Sequence, residues 1–183
     1  LLTMFRIMGP ESETLWRGAP TKIVRGKLHK YAMELDLADW SERQAYFLGR
    51  YIDLPTQLAM IALLRSGDCF VDVGANIGML TLLAARLVGK AGVVHSFEPN
   101  PNCCERIKRL LRRNRIQHVH LHQIGLSDRW ERTALRVVST HSGMGTVAQL
   151  PPEDARLVTE SHDVLLAPGD EVMNTGCRGP SVI

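Results

Sequence analysis

Gly74-Ala75-Asn76-Ile77-Gly78 follows a short apolar run, Cys69 to Val73, and opens the apolar segment Met79 to Val88. Glycines at 74 and 78 leave room for a ligand to approach the backbone, and the first amides of a following helix would face it. Glu98 stands 20 residues after Gly78. That is about the spacing at which a carboxylate meets vicinal ribose hydroxyls in nucleotide-binding turns. A dinucleotide fingerprint requires Gly-x-Gly-x-x-Gly, and here Asn76 and Met79 hold the second and third glycine positions. NAD is therefore the weaker candidate. No Gly-Lys-Ser or Gly-Lys-Thr follows, so a Walker phosphate loop fails as well. What remains is an adenosine ligand with no pyrophosphate to cradle.

These residues need a strand, a turn and a helix to hold them. Cys69 to Val73 reads as a strand and Met79 to Val88 as a helix that ends at Gly89. Val93 to Phe97 is a second strand ending at Glu98. Pro99-Asn100-Pro101 then supplies a turn, an Asn cap and a Pro at the first helical position. Ile107, Leu110 and Leu111 mark one apolar stripe on this second helix, and His118 to Ile124 alternates as a third strand. The order β-α-β-α-β predicts a parallel sheet. Upstream, Ala32 to Leu37 reads as a short strand, Ser41 to Leu48 as a helix behind a Ser cap, and Pro55 to Leu64 as a helix with Gly67 beyond it. Residues 1–30 show no clear period and are expected to be an irregular lead-in, with 31–67 a helical and strand lead-in and 68–183 the cofactor-binding unit.

Each candidate has a plainer reading. Glycines after a strand are often only turn formers. Asp72, inside an apolar strand, needs a hydrogen-bond partner, so it is a brace for the turn or a cofactor neighbour. Glu98 is a ribose acceptor or a cap for the next helix. His118, His120 and His122 recur at period two and so share one strand face, which fits a half-exposed face better than a metal site. Arg106, Lys108, Arg109, Arg112, Arg113 and Arg115 crowd the second helix, where a solvated basic face explains them more simply than a phosphate-binding one.

Phe70-Val-Asp-Val-Gly-Ala-Asn-Ile-Gly78, Ser96-Phe-Glu-Pro-Asn-Pro101 and Gly125-Leu-Ser-Asp128 together resemble the FkbM family of S-adenosylmethionine-dependent methyltransferases. Trp40 to Tyr51 is similar to the lead-in of that family, so the likeness runs from about Leu35 to the C-terminus. The resemblance implies a Rossmann-like class I methyltransferase fold, an α/β three-layer sandwich, with S-adenosyl-L-methionine as cofactor. It implies O-methylation of a hydroxylated small molecule, a sugar or natural product. Carried over by position, Gly74, Ala75, Asn76 and Gly78 would line the methionine end, with Asp72 behind the turn and Thr81 a weaker candidate for the methionine carboxylate. Glu98 would hold the ribose and Asn100 flank the adenine. Ser127 and Asp128 would bond its edge, unless they are ordinary turn formers. Tyr51 is a weaker candidate for closing the pocket. His141, in a flexible stretch, is a weak candidate for the base that a hydroxyl acceptor requires.

Composition narrows the class without choosing the partner. The chain of 183 residues is 45% hydrophobic and 22% charged, which suits one globular domain and excludes a wholly disordered chain. The longest apolar run, Leu58 to Leu64, is far below the roughly 20 residues of a membrane span. A net charge of +3 does not by itself point to nucleic acid. Cysteines at 69, 103, 104 and 177 form no Cys-x-x-Cys pair and suggest neither a metal nor a disulfide framework. With no signal segment at the start, a reducing cytoplasmic setting is expected. The resemblance also implies a fourth strand after Gly179-Pro-Ser-Val-Ile183, so the expectation is a C-terminally incomplete domain carrying only the N-terminal strands of its sheet. The alternative function is then a non-catalytic remnant or interaction module that keeps the nucleoside-binding half.

Overall fold

The computed structural model describes residue 9 and residues 12–137, 143, 145–151 and 155–173. In chain order the elements are α1 (Glu13–Trp16), β1 (Thr21–Arg25), β2 (Ala32–Asp36), α2 (Trp40–Leu48), α3 (Leu54–Leu63), β3 (Cys69–Val73), α4 (Met79–Val88), β4 (Val93–Phe97), α5 (Pro101–Asn114), β5 (Val119–His122), β6 (Gly125–Ser127), β7 (Glu131–Val137), β8 (Gly145–Thr146), β9 (Glu160–Pro168) and α6 (Gly169–Met173). Strands β3, β4 and β5 form a parallel sheet in that order, with Cys69 opposite Val93 and Val94 opposite Val119. This is the β-α-β-α-β order that the sequence predicts, a Rossmann-like mixed α/β arrangement.

Local chemistry sets the ends of these elements. Asn100 caps α5, its side-chain oxygen accepting from the Asn102 N–H, with Pro101 in the first turn. Gly78 precedes α4 at φ +85°, a backbone conformation that favours glycine, and a Cβ there would press on Ile107 Cγ1 of the neighbouring helix at 3.2 Å. The cap of α2 is Asp39 rather than the expected Ser41: its Oδ1 accepts from the N–H groups of Ser41 and Glu42, and the Ser41 hydroxyl donates to the same oxygen. A carboxylate one residue before the helix outcompetes a hydroxyl inside it because the positive helix end favours the negative charge.

The main core lies between α4 and the sheet. Leu82, Leu83, Ala84, Ala85 and Val88 of α4 are buried with Phe70, Val94, Cys103 and Leu110. Met33 and Leu35 of β2 and Ala45 of α2 join the same core, so the N-terminal elements are part of the packing. Residues 1–30, expected to be irregular, contain α1 and β1, and β1 pairs antiparallel with β2 from Thr21 opposite Asp36 to Arg25 opposite Ala32. Asn114, at the end of α5, bonds both backbone groups of Ala32, accepting at 2.7 Å and donating at 2.9 Å.

A second sheet, ordered β6-β9-β7-β8, was not visible in the sequence. Strand β9 lies parallel to β6 and antiparallel to β7, with Leu135, Val164 and Leu166 as its own small core.

One surface expectation changes, for Arg106, and one holds, since His118, His120 and His122 are half-buried or exposed. Arg106 is not on a solvated face but packs against Glu42, and Arg109 and Arg113 reach Glu34 of β2. The three strand histidines do not act alike: His118 Nε2 bonds the Ala85 carbonyl of α4, whereas His120 and His122 flank His95 of β4, whose Nδ1 lies 3.0 Å from His122 Nε2. Burial and the neighbouring imidazoles hold the His95 and His122 rings below the ordinary histidine range. Among the described residues no group of three or more His, Cys, Asp or Glu is arranged to hold a metal, and no helix is long and apolar enough to cross a membrane.

Candidate functional site

The turn after β3 is tied to the end of β4 at several points. The N–H groups of Gly74 and Ala75 both donate to the Phe97 carbonyl, at 2.9 and 3.0 Å. One residue later, the Asn76 N–H donates to Glu98 Oε2 at 2.7 Å, while the Asn100 N–H donates to Glu98 Oε1 at 2.8 Å. Glu98 thus couples the glycine turn to the cap of α5. Asn76 holds φ +49°, a left-handed conformation that Asn tolerates better than most residues. Its side-chain oxygen faces Cys103 Sγ of α5 at 3.3 Å. Burial pushes the Glu98 carboxyl upward, and the two backbone amides pull it back.

Behind the turn, Asp72 Oδ2 accepts from the Thr81 hydroxyl at 2.5 Å, and Thr81 Oγ1 lies 3.0 Å from Ser96 Oγ. Burial raises the Asp72 carboxyl to about 6, with the Glu98 charge adding to the shift and the Thr81 bonds opposing it. The three side chains link β3, α4 and β4 beneath the turn.

A cleft of ≈130 Å³ opens in front of it. Its lining includes Asp72, Gly74, Ala75 and Asn76 from β3 and the turn, and Trp40 and Glu42 of α2 with Tyr51. Burial first, then the charges of Asp53 and Asp72, push the Tyr51 hydroxyl above its ordinary range.

The residues singled out in the sequence fall into three groups. Asp72, Gly74, Ala75, Asn76 and Tyr51 line the same cleft. Gly78, Thr81 and Glu98 are one contact removed, through Ala75, Asp72 and Asn76, and Asn100 is two removed, through Glu98. Thr81 is fully buried with its hydroxyl engaged by Asp72 and Ser96, so it braces the turn and does not present itself to a carboxylate in the cleft. Asn100 is buried with its side-chain oxygen spent on the helix cap. Ser127 and Asp128, at the end of β6, are not among the residues that line this cleft: Ser127 donates to Asp128, and Asp128 pairs with Arg129. His141 lies outside the described residues. Three residues that sequence reading did not place at the site also bear on it: Glu42, Arg106 and Cys103. A Glu at the third helical position of α2 signals a helix start, and nothing local tells that it also turns toward a cleft.

The family model of the FkbM methyltransferase domain matches residues 72–167, more than half of the chain and all of the turn just described. The chain belongs to the FkbM methyltransferase domain family. No curated protein matches it. Among solved structures, this FkbM domain is similar to a protein-L-isoaspartate O-methyltransferase, at 27% identity and TM-score 0.33 over 37% of this chain and 21% of that one. It is also similar to Pyrococcus horikoshii TYW2 in complex with MeSAdo, at 16% identity and TM-score 0.42 over 57% of this chain and 36% of that one. A third is a SAM-dependent methyltransferase from Aquifex aeolicus, at 18% identity and TM-score 0.34 over 39% of this chain and 37% of that one. The FkbM chain therefore aligns with well under half the length of each of these structures.

Proposed function

We propose that this FkbM domain binds S-adenosylmethionine in the Gly74–Asn76 cleft and directs its methyl group to a hydroxyl oxygen of a sugar or natural-product acceptor. The observation that carries the reading is the position of Glu98, whose two oxygens hold the amides of Asn76 and Asn100 and so tie the glycine turn that lines the cleft to the strand-end carboxylate directly behind it. Gly74 supports it as well. At φ +76°, a side-chain carbon at this position would meet nothing within 4 Å among the described residues beyond its own chain neighbours, which leaves open the space that a bound cofactor needs.

When bound, S-adenosylmethionine supplies an electrophilic methyl group on a sulfonium centre. The chain's own work is to bind and align. Gly74, Ala75 and Asn76 lie where the methionine end would rest, above the Asp72–Thr81–Ser96 brace. Each Glu98 oxygen keeps a lone pair beyond its amide bond, enough to accept from the ribose hydroxyls. Trp40, Glu42 and Tyr51 close the far side. Ser127 and Asp128 complete the reading as contacts to the adenine edge. A hydroxyl acceptor must approach to about 3 Å and lose its proton to a base.

Isothermal titration of S-adenosylmethionine and S-adenosylhomocysteine into the chain, with Glu98→Ala as control, tests the reading. Micromolar binding that disappears in the variant supports it. A folded, cooperatively melting chain that binds neither ligand overturns it in favour of a non-catalytic module.

A further inference from the structure

The side-chain amide of Asn76 has two ends, and one of them is committed. Cys103, on the first turn of α5, donates its S–H to Asn76 Oδ1 at 3.3 Å. The backbone of Asn76 is held at φ +49° and its N–H is bound by Glu98, so the side chain starts from a fixed place. Among the described residues the Nδ2 group has no partner, and Asn76 is half-buried in the cleft wall.

The chemistry of the pair sets which end points where. A thiol is a donor and only a weak acceptor, so it selects the amide oxygen and turns the NH2 group away from α5. Cys103 is 2% exposed, and burial together with the Glu98 charge pushes its thiol up to about 12, which keeps the hydrogen in place at neutral pH. The lining of the same cleft includes two carboxylates, Asp72 and Glu42. An incoming carboxylate would be repelled there unless a donor met it, and Asn76 is the polar side chain that the turn from Gly74 to Ile77 contributes to that wall.

We propose that Cys103 is a positioning residue of the cofactor site: its S–H holds the Asn76 amide so that the NH2 group faces the cleft and receives a ligand carboxylate. The inference rests on the cofactor reading above, with the carboxylate being that of the methionine moiety. The thiol touches no ligand itself and acts through Asn76.

Two ligands separate this role from mere packing. S-adenosylhomocysteine carries the amino-acid carboxylate; 5′-methylthioadenosine has the same nucleoside and thioether but lacks it. Titration of both into the wild type, Cys103→Ala, Cys103→Val and Cys103→Ser is accompanied by thermal melts. Cys103→Ala should weaken S-adenosylhomocysteine about three- to tenfold, the range of one neutral hydrogen bond, and leave methylthioadenosine within about twofold. Cys103→Val, which fills the space without a donor, should match Ala even if the smaller side chain destabilises the fold. Cys103→Ser, which restores a donor, should bring S-adenosylhomocysteine back to within about twofold of wild type. Equal loss for both ligands, or no loss for either, overturns the inference while the cofactor reading stands. Failure of the wild type to bind S-adenosylhomocysteine overturns both.

Discussion

Arg106 of α5 grips Glu42 of α2 through two N–H groups, each 2.6 Å from a different carboxylate oxygen, across 64 residues of chain. Glu42 is 1% exposed and its Oε2 also accepts the Asp36 N–H at 2.7 Å, so one carboxylate joins β2, α2 and α5. Burial pushes its pKa up, and the Arg106 bonds and charge hold it down. Because Glu42 lines the cleft, the pair also fixes the wall that faces the glycine turn.

Removing one member of such a pair leaves a buried charge unmatched. Arg106→Met should destabilise the protein by about 3–5 kcal/mol, whereas Arg106→Met combined with Glu42→Leu should lose less than half of that. Urea midpoints of the two variants and the wild type decide it. Equal losses would mean that the helix packs without help from the ion pair.

Asp72 makes stability depend on pH in one direction. Its carboxyl ionises at about 6 in the folded chain, against an ordinary value of 3.8, so between those values the folded state holds more protons than the unfolded one. Its contribution is full below about 3.8 and is lost as pH rises through about 6. Asp72→Asn cannot titrate but still accepts from Thr81. The stability of this variant relative to wild type should therefore climb between pH 4 and pH 6 and then level off, as urea melts across that range would show. Parallel curves would remove Asp72 as the source.

His29 acts with the opposite sign. It is 3% exposed, its Nδ1 accepts the Tyr31 N–H, and its buried Nε2 has no hydrogen-bond partner among the described residues. Burial lowers its pKa from 6.5 to about 4, so the unfolded chain takes up its proton first and stability is lost as pH falls from about 6.5 toward 4. The His29 ring should titrate near 4 by NMR. A midpoint close to 6.5 would show that the ring is solvated.

Asn76 carries backbone strain that glycine would relieve. At φ +49°, Asn76→Gly should be more stable than Asn76→Ala by about 1 kcal/mol, since a Cβ in the left-handed region is unfavourable by roughly that amount. Thermal melts of the two variants measure the difference directly. Identical melting temperatures would indicate that the turn rearranges when the Glu98 and Cys103 contacts change.

The strand, turn and helix around Gly74 could be read from the sequence because each depends on near neighbours. Apolar Cys69 to Val73 forms a strand, Gly78 permits a positive φ, and Pro101 behind Asn100 starts α5. The family motif lies in the same residues. Partner choice was not local. Thr81 carries a hydroxyl that suits a ligand or a neighbour equally well, and only the packing of α4 against β3 and β4 hands it to Asp72 and Ser96. Arg106 occupies a helix rich in basic residues, and nothing in its flanking residues distinguishes it from Arg112. Its burial depends on Glu42 arriving from α2. Strands β7 and β9 pair from Glu131 opposite Leu166 to Val137 opposite Glu160, a long-range match that short alternating segments do not specify. Sequence by itself determined where the chain turns and which backbone positions demand glycine, because sterics and capping act within a few residues. The tertiary structure decided which polar groups face the cleft and which are spent bracing it, because a hydrogen bond goes to whichever partner the packed elements bring within reach.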